Sequence, residues 1–169
     1  MGAMHERETT CCFSGHRPPK LHWGTNEDDE RCTALKAEIA ARLDGIYQAG
    51  YRHFICGMAI GCDTYFAEAV LALREEHDDV TLEAAIPCGT QPEKWTEAQR
   101  LRYNSLIDAS DEVTVLQIDY TPGCMLARNR YMVDQSSLLL CCFNGGPGGT
   151  MSTILYAMRN GVDTMVIDI

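Results

Sequence analysis

The sequence predicts an α/β fold in which a mostly parallel sheet of about six strands lies between two layers of helices. Three observations carry that prediction. Short apolar runs bounded by turn residues alternate, from Thr10 to Ile169, with longer stretches whose apolar residues recur at helical spacing. Runs such as Leu138 to Phe143 are apolar at every position, the pattern of a strand covered on both faces. Several of these runs stop at glycine or proline just before a helical pattern begins, which is how a strand hands over to a crossover helix.

Taken in order, Thr10 to Ser14 is the first strand, ended by Gly15-His16-Arg17-Pro18-Pro19, where two prolines stop both helix and central strand. Asn26 to Glu30 supplies capping chemistry for a helix with Leu35, Ile39, Leu43 and Ile46 on its inward face, closed by Gly50. Arg52 to Cys56 is the second strand and Gly57 to Gly61 its turn; Asp63 then opens a helix whose stripe is Phe66, Val70 and Leu73. Val80 to Ile86 is the third strand, closed by Pro87-Cys88-Gly89, and Pro92 to Ser110 reads as a helix. Glu112 to Gln117 is the fourth strand, and Tyr120 to Gly123 turns the chain into a helix from about Cys124 to Ser136. Leu138 to Phe143 runs through Asn144-Gly145-Gly146-Pro147-Gly148-Gly149-Thr150 into a last helix with a Met151, Ile154, Leu155, Met158 stripe. Asp163 to Ile169 is the sixth strand.

A length of 169 residues fits one domain able to bury its own core. Residues 9–169 are assigned to it, and 1–8 to an N-terminal tail whose Met-Gly-Ala-Met start reads in part as a cloning remnant. The 24 acidic against 14 basic residues give a formal net charge of −10, which opposes a large nucleic-acid footprint. There is no apolar run of about 18 residues and no signal-peptide pattern at the polar start, so a cytoplasmic location without membrane contact is expected. The nine cysteines sit mostly in strand-like runs, with no Cys-x-x-Cys and no histidine at ligand spacing from Cys56 and Cys62. They read as reduced, buried thiols, and no metal site is expected.

Because βαβ crossovers are right-handed, every strand-to-helix loop falls on the carboxyl edge of such a sheet. Ser14, Gly15, His16 and Arg17 therefore share an edge with Gly57, Ala59 and Gly61, and with Gly145, Gly146, Gly148, Gly149 and Thr150. A strand that runs through glycines into a helix N-terminus presents free amides and the positive end of the helix dipole, which suit a phosphate; the alternative is that the glycines only permit tight geometry. Neither turn is a dinucleotide Gly-x-Gly-x-x-Gly or a Walker loop, so neither hydride transfer nor nucleoside-triphosphate hydrolysis follows. His16 and Arg17, and Arg128 with Asn129, are placed to meet an anion, the alternatives being a structural turn contact for His16 and a solvent-facing helix arginine for Arg128; Thr150 is placed either to cap its helix or to bond a phosphate oxygen. Asp63, in a first helical turn, is either a partner for ribose hydroxyls or a base, or only a carboxylate that the helix dipole stabilises. Glu68 lies about 140° round the same helix and is the weaker candidate, with pairing to an arginine as its other use.

These motifs together resemble the YpsA-like branch of the SLOG superfamily, Rossmann-like domains that include the lonely-guy phosphoribohydrolases and DprA. The residues that carry the resemblance are Gly15-His16-Arg17-Pro18, Gly57-Met58-Ala59-Ile60-Gly61-Cys62-Asp63 with Ala67-Glu68, Trp95, Arg128 to Asp134 and Gly148-Gly149-Thr150. The resemblance implies a nucleotide or ADP-ribose-like ligand at the carboxyl edge, phosphate on the Gly-Gly-Thr turn, and a homodimer or higher homo-oligomer. It also makes Asp63, Glu68 and Arg128 the candidates for any catalysis. The phosphoribohydrolase motif continues Gly-Thr-x-x-Glu, and this sequence has Thr153 where the acid belongs. A threonine does not ionise at neutral pH, so a sensor or regulatory binding role is expected ahead of N-glycosidase or phosphoribohydrolase activity on a nucleoside monophosphate.

Overall fold

The computed structural model describes residues 5–169. Six strands form one sheet: β1 (Thr10–Ser14), β2 (His53–Cys56), β3 (Thr81–Ile86), β4 (Glu112–Val115), β5 (Leu138–Phe143) and β6 (Asp163–Asp168). Their order is β4-β3-β2-β1-β5-β6 and every pairing is parallel. Five helices connect them: α1 (Glu30–Gln48), α2 (Cys62–Glu76), α3 (Glu97–Ala109), α4 (Cys124–Asp134) and α5 (Gly149–Arg159). The predicted three-layer α/β architecture is the observed one.

The apolar runs divide by parity. Cys11, Phe13, Phe54, Cys56, Leu82 and Ala84 point to the face covered by α1, α2 and α3, where Phe13 stacks on Phe66 with ring centroids 4.5 Å apart. Cys12, Ile55, Ala85, Leu139 and Cys141 point to the face covered by α4 and α5. A strand that needs apolar side chains on both faces shows no alternation, which is why the run pattern identified the parallel sheet. All nine cysteines are free and buried, and burial pushes the Cys12 and Cys141 thiols up to about 12.

The structure corrects two helices. The helix expected from Pro92 begins only at Glu97. Thr96 and Gln99 form a capping box that fixes the N-terminus there, while Thr90 to Trp95 run as turns. In α5 the buried residues are Thr150, Thr153, Ile154 and Ala157, and the expected stripe members Leu155 and Met158 are 43% and 65% exposed. Of the expected stripe Ile154 is buried and Met151 half-buried, while Leu155 and Met158 face outward and Thr150, Thr153 and Ala157 complete the buried face. Residues 1–4 lie outside the described residues. From His5 on, the expected tail lies against the domain, with Arg7 Nε donating to Ser136 O at 3.1 Å.

Candidate functional site

The chain builds the sheet outward from β1 through β2 and β3 to β4, then returns to the other side of β1 with β5. The loops after β1 and β5 therefore diverge, and the crevice between them is where open α/β sheets take ligands. A cleft of about 440 Å³ lies there. Of the residues predicted for the site, it brings together Ser14, Gly15, His16, Arg17, Ala59, Asp63, Arg128, Asn129, Gly149 and Thr150.

Two glycines lock the β1 loop onto the start of α2. A Cβ on Gly15 would lie 2.5 Å from Cys62 Cβ, and one on Gly61, whose φ is +94°, would lie 2.8 Å from His16 O. With both absent, the Cys62 amide donates to His16 O at 3.1 Å. His16 is itself buried, and its Nε2 accepts from the Asn144 amide at 3.2 Å, tying the β5 loop to the β1 loop. Burial, with the Lys20 charge nearby, lowers the His16 pKa, so the ring enters the cleft neutral and the anion-facing cations are other residues.

Arg128 is the most constrained group in the site. It sits in the second turn of α4 and is only 5% exposed. Its Nη1 donates to Gly57 O at 2.7 Å and to Ala85 O at 3.3 Å, and its Nε donates to Asn129 Oδ1 at 2.9 Å. A Cβ on Gly57 would lie 2.5 Å from Arg128 Cζ, so this glycine exists to admit the guanidinium. No carboxylate among the described residues lies within ion-pair distance of Arg128. Burial lowers its pKa, and the field of Asp63 opposes that.

Asp63, in the first turn of α2, is 6% exposed and accepts from the Ala59 amide at 3.1 Å through Oδ2. Burial raises its pKa, and Arg128 and Arg17 pull the other way. Arg17 spans the cleft, its Nη2 3.7 Å from Met125 Sδ. Across from these, α5 starts at Gly149 with Gly148 as N-cap and no side-chain cap. The Ser152 amide, bonded to Gly148 O, is the first that a helical turn satisfies, so the amides of residues 149–151 have no intrahelical partner. Thr150 is the second residue of the helix, which removes the capping reading of its hydroxyl.

Other expectations move. Glu68 lies outside the cleft, held by Arg102 at 2.6 and 3.0 Å, and Arg102 also pairs with Glu27. Its alternative use, pairing with an arginine, is the observed one. Gly145 and Gly146 shape the β5 loop, where Asn144 Oδ1 accepts from the Gly146 amide at 2.9 Å, and they do not line the cleft. Gly148 does not line it either; a Cβ there would meet Lys20 Nζ. Trp95 sits in a neighbouring pocket of about 210 Å³ beside Gly61, packed edge-on to Tyr103. Thr153 is buried and its hydroxyl donates to Gly149 O at 2.8 Å.

Five lining residues were missed: Phe13, Pro19, Lys20, Met125 and Met132. Lys20 donates to Pro147 O at 2.8 Å and so bridges the β1 and β5 loops, its signal being a lone lysine directly after the two prolines. Met125, on α4, forms part of the cleft wall.

An all-parallel sheet with a crevice at its switch point and an uncapped helix N-terminus beside it defines a Rossmann-like α/β protein. The comparison with known families narrows this: the YpsA model (YspA SLOG family) matches residues 11–166, and the chain belongs to that family. It is 27% identical over 138 residues to an uncharacterised SPbeta prophage-derived protein, YoqJ, of Bacillus subtilis, covering 74% of this chain and 81% of that one. It is 24% identical over 145 residues to the UPF0398 protein YpsA of the same organism, covering 85% and 80%. Among solved structures, DNA processing protein A from Helicobacter pylori superposes with a TM-score of 0.63 at 18% identity, and that from Streptococcus pneumoniae with 0.63 at 16%. The match covers 95% and 94% of this chain but spans 65% and 50% of those two, and it shows a shared fold. Among the described residues no helix is long and apolar enough to cross a membrane.

Proposed function

We propose that the cleft binds a nucleotide or nucleotide-derived, ADP-ribose-like ligand and that the protein works as a sensor or regulatory binding module. The observation that carries this reading is Arg128: a buried guanidinium, held rigidly by carbonyls, with no carboxylate partner at ion-pair distance and an open cleft before it. Buried charges are paired, and an anionic ligand supplies the partner here. Phosphate oxygens meet the free amides of α5 with Arg17 and Lys20 at the mouth, and Asp63 accepts from ribose hydroxyls. Titration calorimetry with ADP-ribose, AMP and NAD tests it. Saturable binding that weakens about 10- to 100-fold in Arg128→Met, the worth of one or two charge-assisted hydrogen bonds, is the expected result. Absence of heat with all three ligands overturns it.

Asp63 favours one second reading, N-glycosidase or phosphoribohydrolase chemistry, because a buried carboxyl with a raised pKa in a cleft suits proton transfer. Thr153 stands against it: its hydroxyl is committed to the backbone where the phosphoribohydrolases carry an acid. Incubation with AMP and CMP, followed by chromatography for free base, separates the two. Release by the wild type that is lost in Asp63→Asn replaces the sensor reading with the hydrolase. DNA processing protein A from Helicobacter pylori has a single-stranded DNA binding mode; a net charge of −10 disfavours that footprint here.

A further inference from the structure

Away from the carboxyl edge, on the sheet face covered by α4, a second cavity of about 260 Å³ is lined by His5, His53, Glu83, Glu112 and Tyr131 among others. His53 begins β2 and pairs in register with Thr81, two residues before Glu83 on the same face of β3, and Glu83 pairs with Glu112 at the start of β4. His5 closes the group from the segment before β1, its ring stacked on His53 at 3.5 Å. His5 Nε2 is 2.9 Å from Glu112 Oε1, and His53 Nε2 is 3.8 Å from Glu112 Oε2 and 2.8 Å from Glu83 Oε1. One donor atom each from His5, His53 and Glu112 fall within 4.8 Å of one another.

We propose that His5, His53 and Glu112 bind a divalent transition metal of the zinc class, with Glu83 bonded to His53 beside them. Two imidazoles and a carboxylate, with a fourth position open to water, are a donor set that zinc takes. With metal–ligand distances of about 2.1 Å, tetrahedral ligand atoms stand about 3.4 Å apart, and the two imidazole-to-Glu112 spacings, 2.9 and 3.8 Å, bracket that value. The outer contacts are those a metal site needs. His53 Nδ1 is bonded to Thr81 Oγ1 at 2.7 Å, and Glu83 Oε2 accepts from Tyr131 Oη at 2.6 Å and Thr114 Oγ1 at 2.9 Å. No lysine or arginine lines the cavity, so the two carboxylates have no fixed cation beside them, and Glu83 is 4% exposed. A bound cation supplies that charge. The two rings lie parallel, so the His5 ring tips to direct its Nε2 inward; it belongs to no helix or strand, which permits this. The bound ion would fasten the segment before β1 to β2 and β4.

The test is calorimetric titration of zinc chloride into the full chain after chelator treatment, with cobalt(II) absorption as the second measurement. We expect one ion per chain and a cobalt spectrum of nitrogen and oxygen ligands without a thiolate charge-transfer band, which distinguishes this site from the nine free cysteines. His5 and Glu112 side chains are 22% and 23% exposed, so His5→Ala and Glu112→Gln are expected to fold. Each should weaken zinc binding at least about tenfold, the loss seen even for outer contacts of metal sites. His5→Gln serves if His5→Ala does not fold. No saturable zinc binding, binding indifferent to these variants, or a thiolate band overturns the proposal and leaves the cluster a buried hydrogen-bond network.

Discussion

Gly57→Ala is the sharpest probe of the cleft because the substitution changes one methyl group and nothing else in the backbone requirement. Gly57 is not among the glycines held at positive φ, so alanine meets no conformational penalty there. Its Cβ would nevertheless lie 2.5 Å from Arg128 Cζ, a distance real Cβ atoms do not show, and the guanidinium must leave. In leaving it forfeits the 2.7 Å bond to Gly57 O and the weaker one to Ala85 O. A hydrogen bond to a charged group is worth about 1.5–3 kcal/mol, so we expect a stability loss of at least that size. For a domain of this length this corresponds to a fall in Tm of roughly 3–12 °C. Urea unfolding of Gly57→Ala, Arg128→Met and the double variant makes the test specific. If the clash with Arg128 is the cause, Gly57→Ala costs little in the Arg128→Met background, and the cycle shows a coupling of about 1.5–3 kcal/mol. A loss under about 0.5 kcal/mol, or one equally large without Arg128, refutes the account.

The remaining predictions address the groups around the cleft. Thr153→Glu places a carboxylate where the side chain is 1% exposed, so it should lose at least about 2 kcal/mol in urea unfolding and gain no base-releasing activity by chromatography. Glu68→Gln should leave the affinity for ADP-ribose within about twofold by calorimetry, since a loss of about 0.4 kcal/mol or less is expected from a group paired elsewhere, whereas Asp63→Asn should alter it. Glu27 is held down to about 2, mainly by hydrogen bonds from Arg102 with Lys36 adding to them. Its folded pKa lies below the ordinary 4.5, so its contribution is complete above that pH and is lost as pH falls toward about 2. Urea midpoints measured across that window should fall less steeply in Glu27→Gln than in the wild type.

The edge that carries the site was legible before any coordinates, because handedness puts every strand-to-helix loop of a parallel sheet on one side. Ser14 to Arg17, Ala59, Asp63, Gly149 and Thr150 follow from that rule alone, and the structure gathers them. Which glycines line the cleft was not legible. Gly57 and Gly61 serve contacts to Arg128 and to the β1 loop, distant in sequence, and a glycine's spacing does not reveal what crowds it. The α5 stripe misled for a related reason: helical periodicity marks two apolar arcs, and the neighbouring elements decide which arc is buried, here the one with Thr150 and Thr153.

The sequence by itself determined the fold class, the strand order along the chain and the edge where chemistry collects, because periodicity and turn chemistry are local and chirality is universal. Only the tertiary structure decided that Arg128 is a buried, unpaired cation while Glu68 is spent on Arg102, since both facts depend on side chains reaching across elements. The same holds for His5, His53 and Glu112. No ligand spacing joins them in the sequence, where no metal site was expected, and strand register together with the path of the first segment sets them within 4.8 Å.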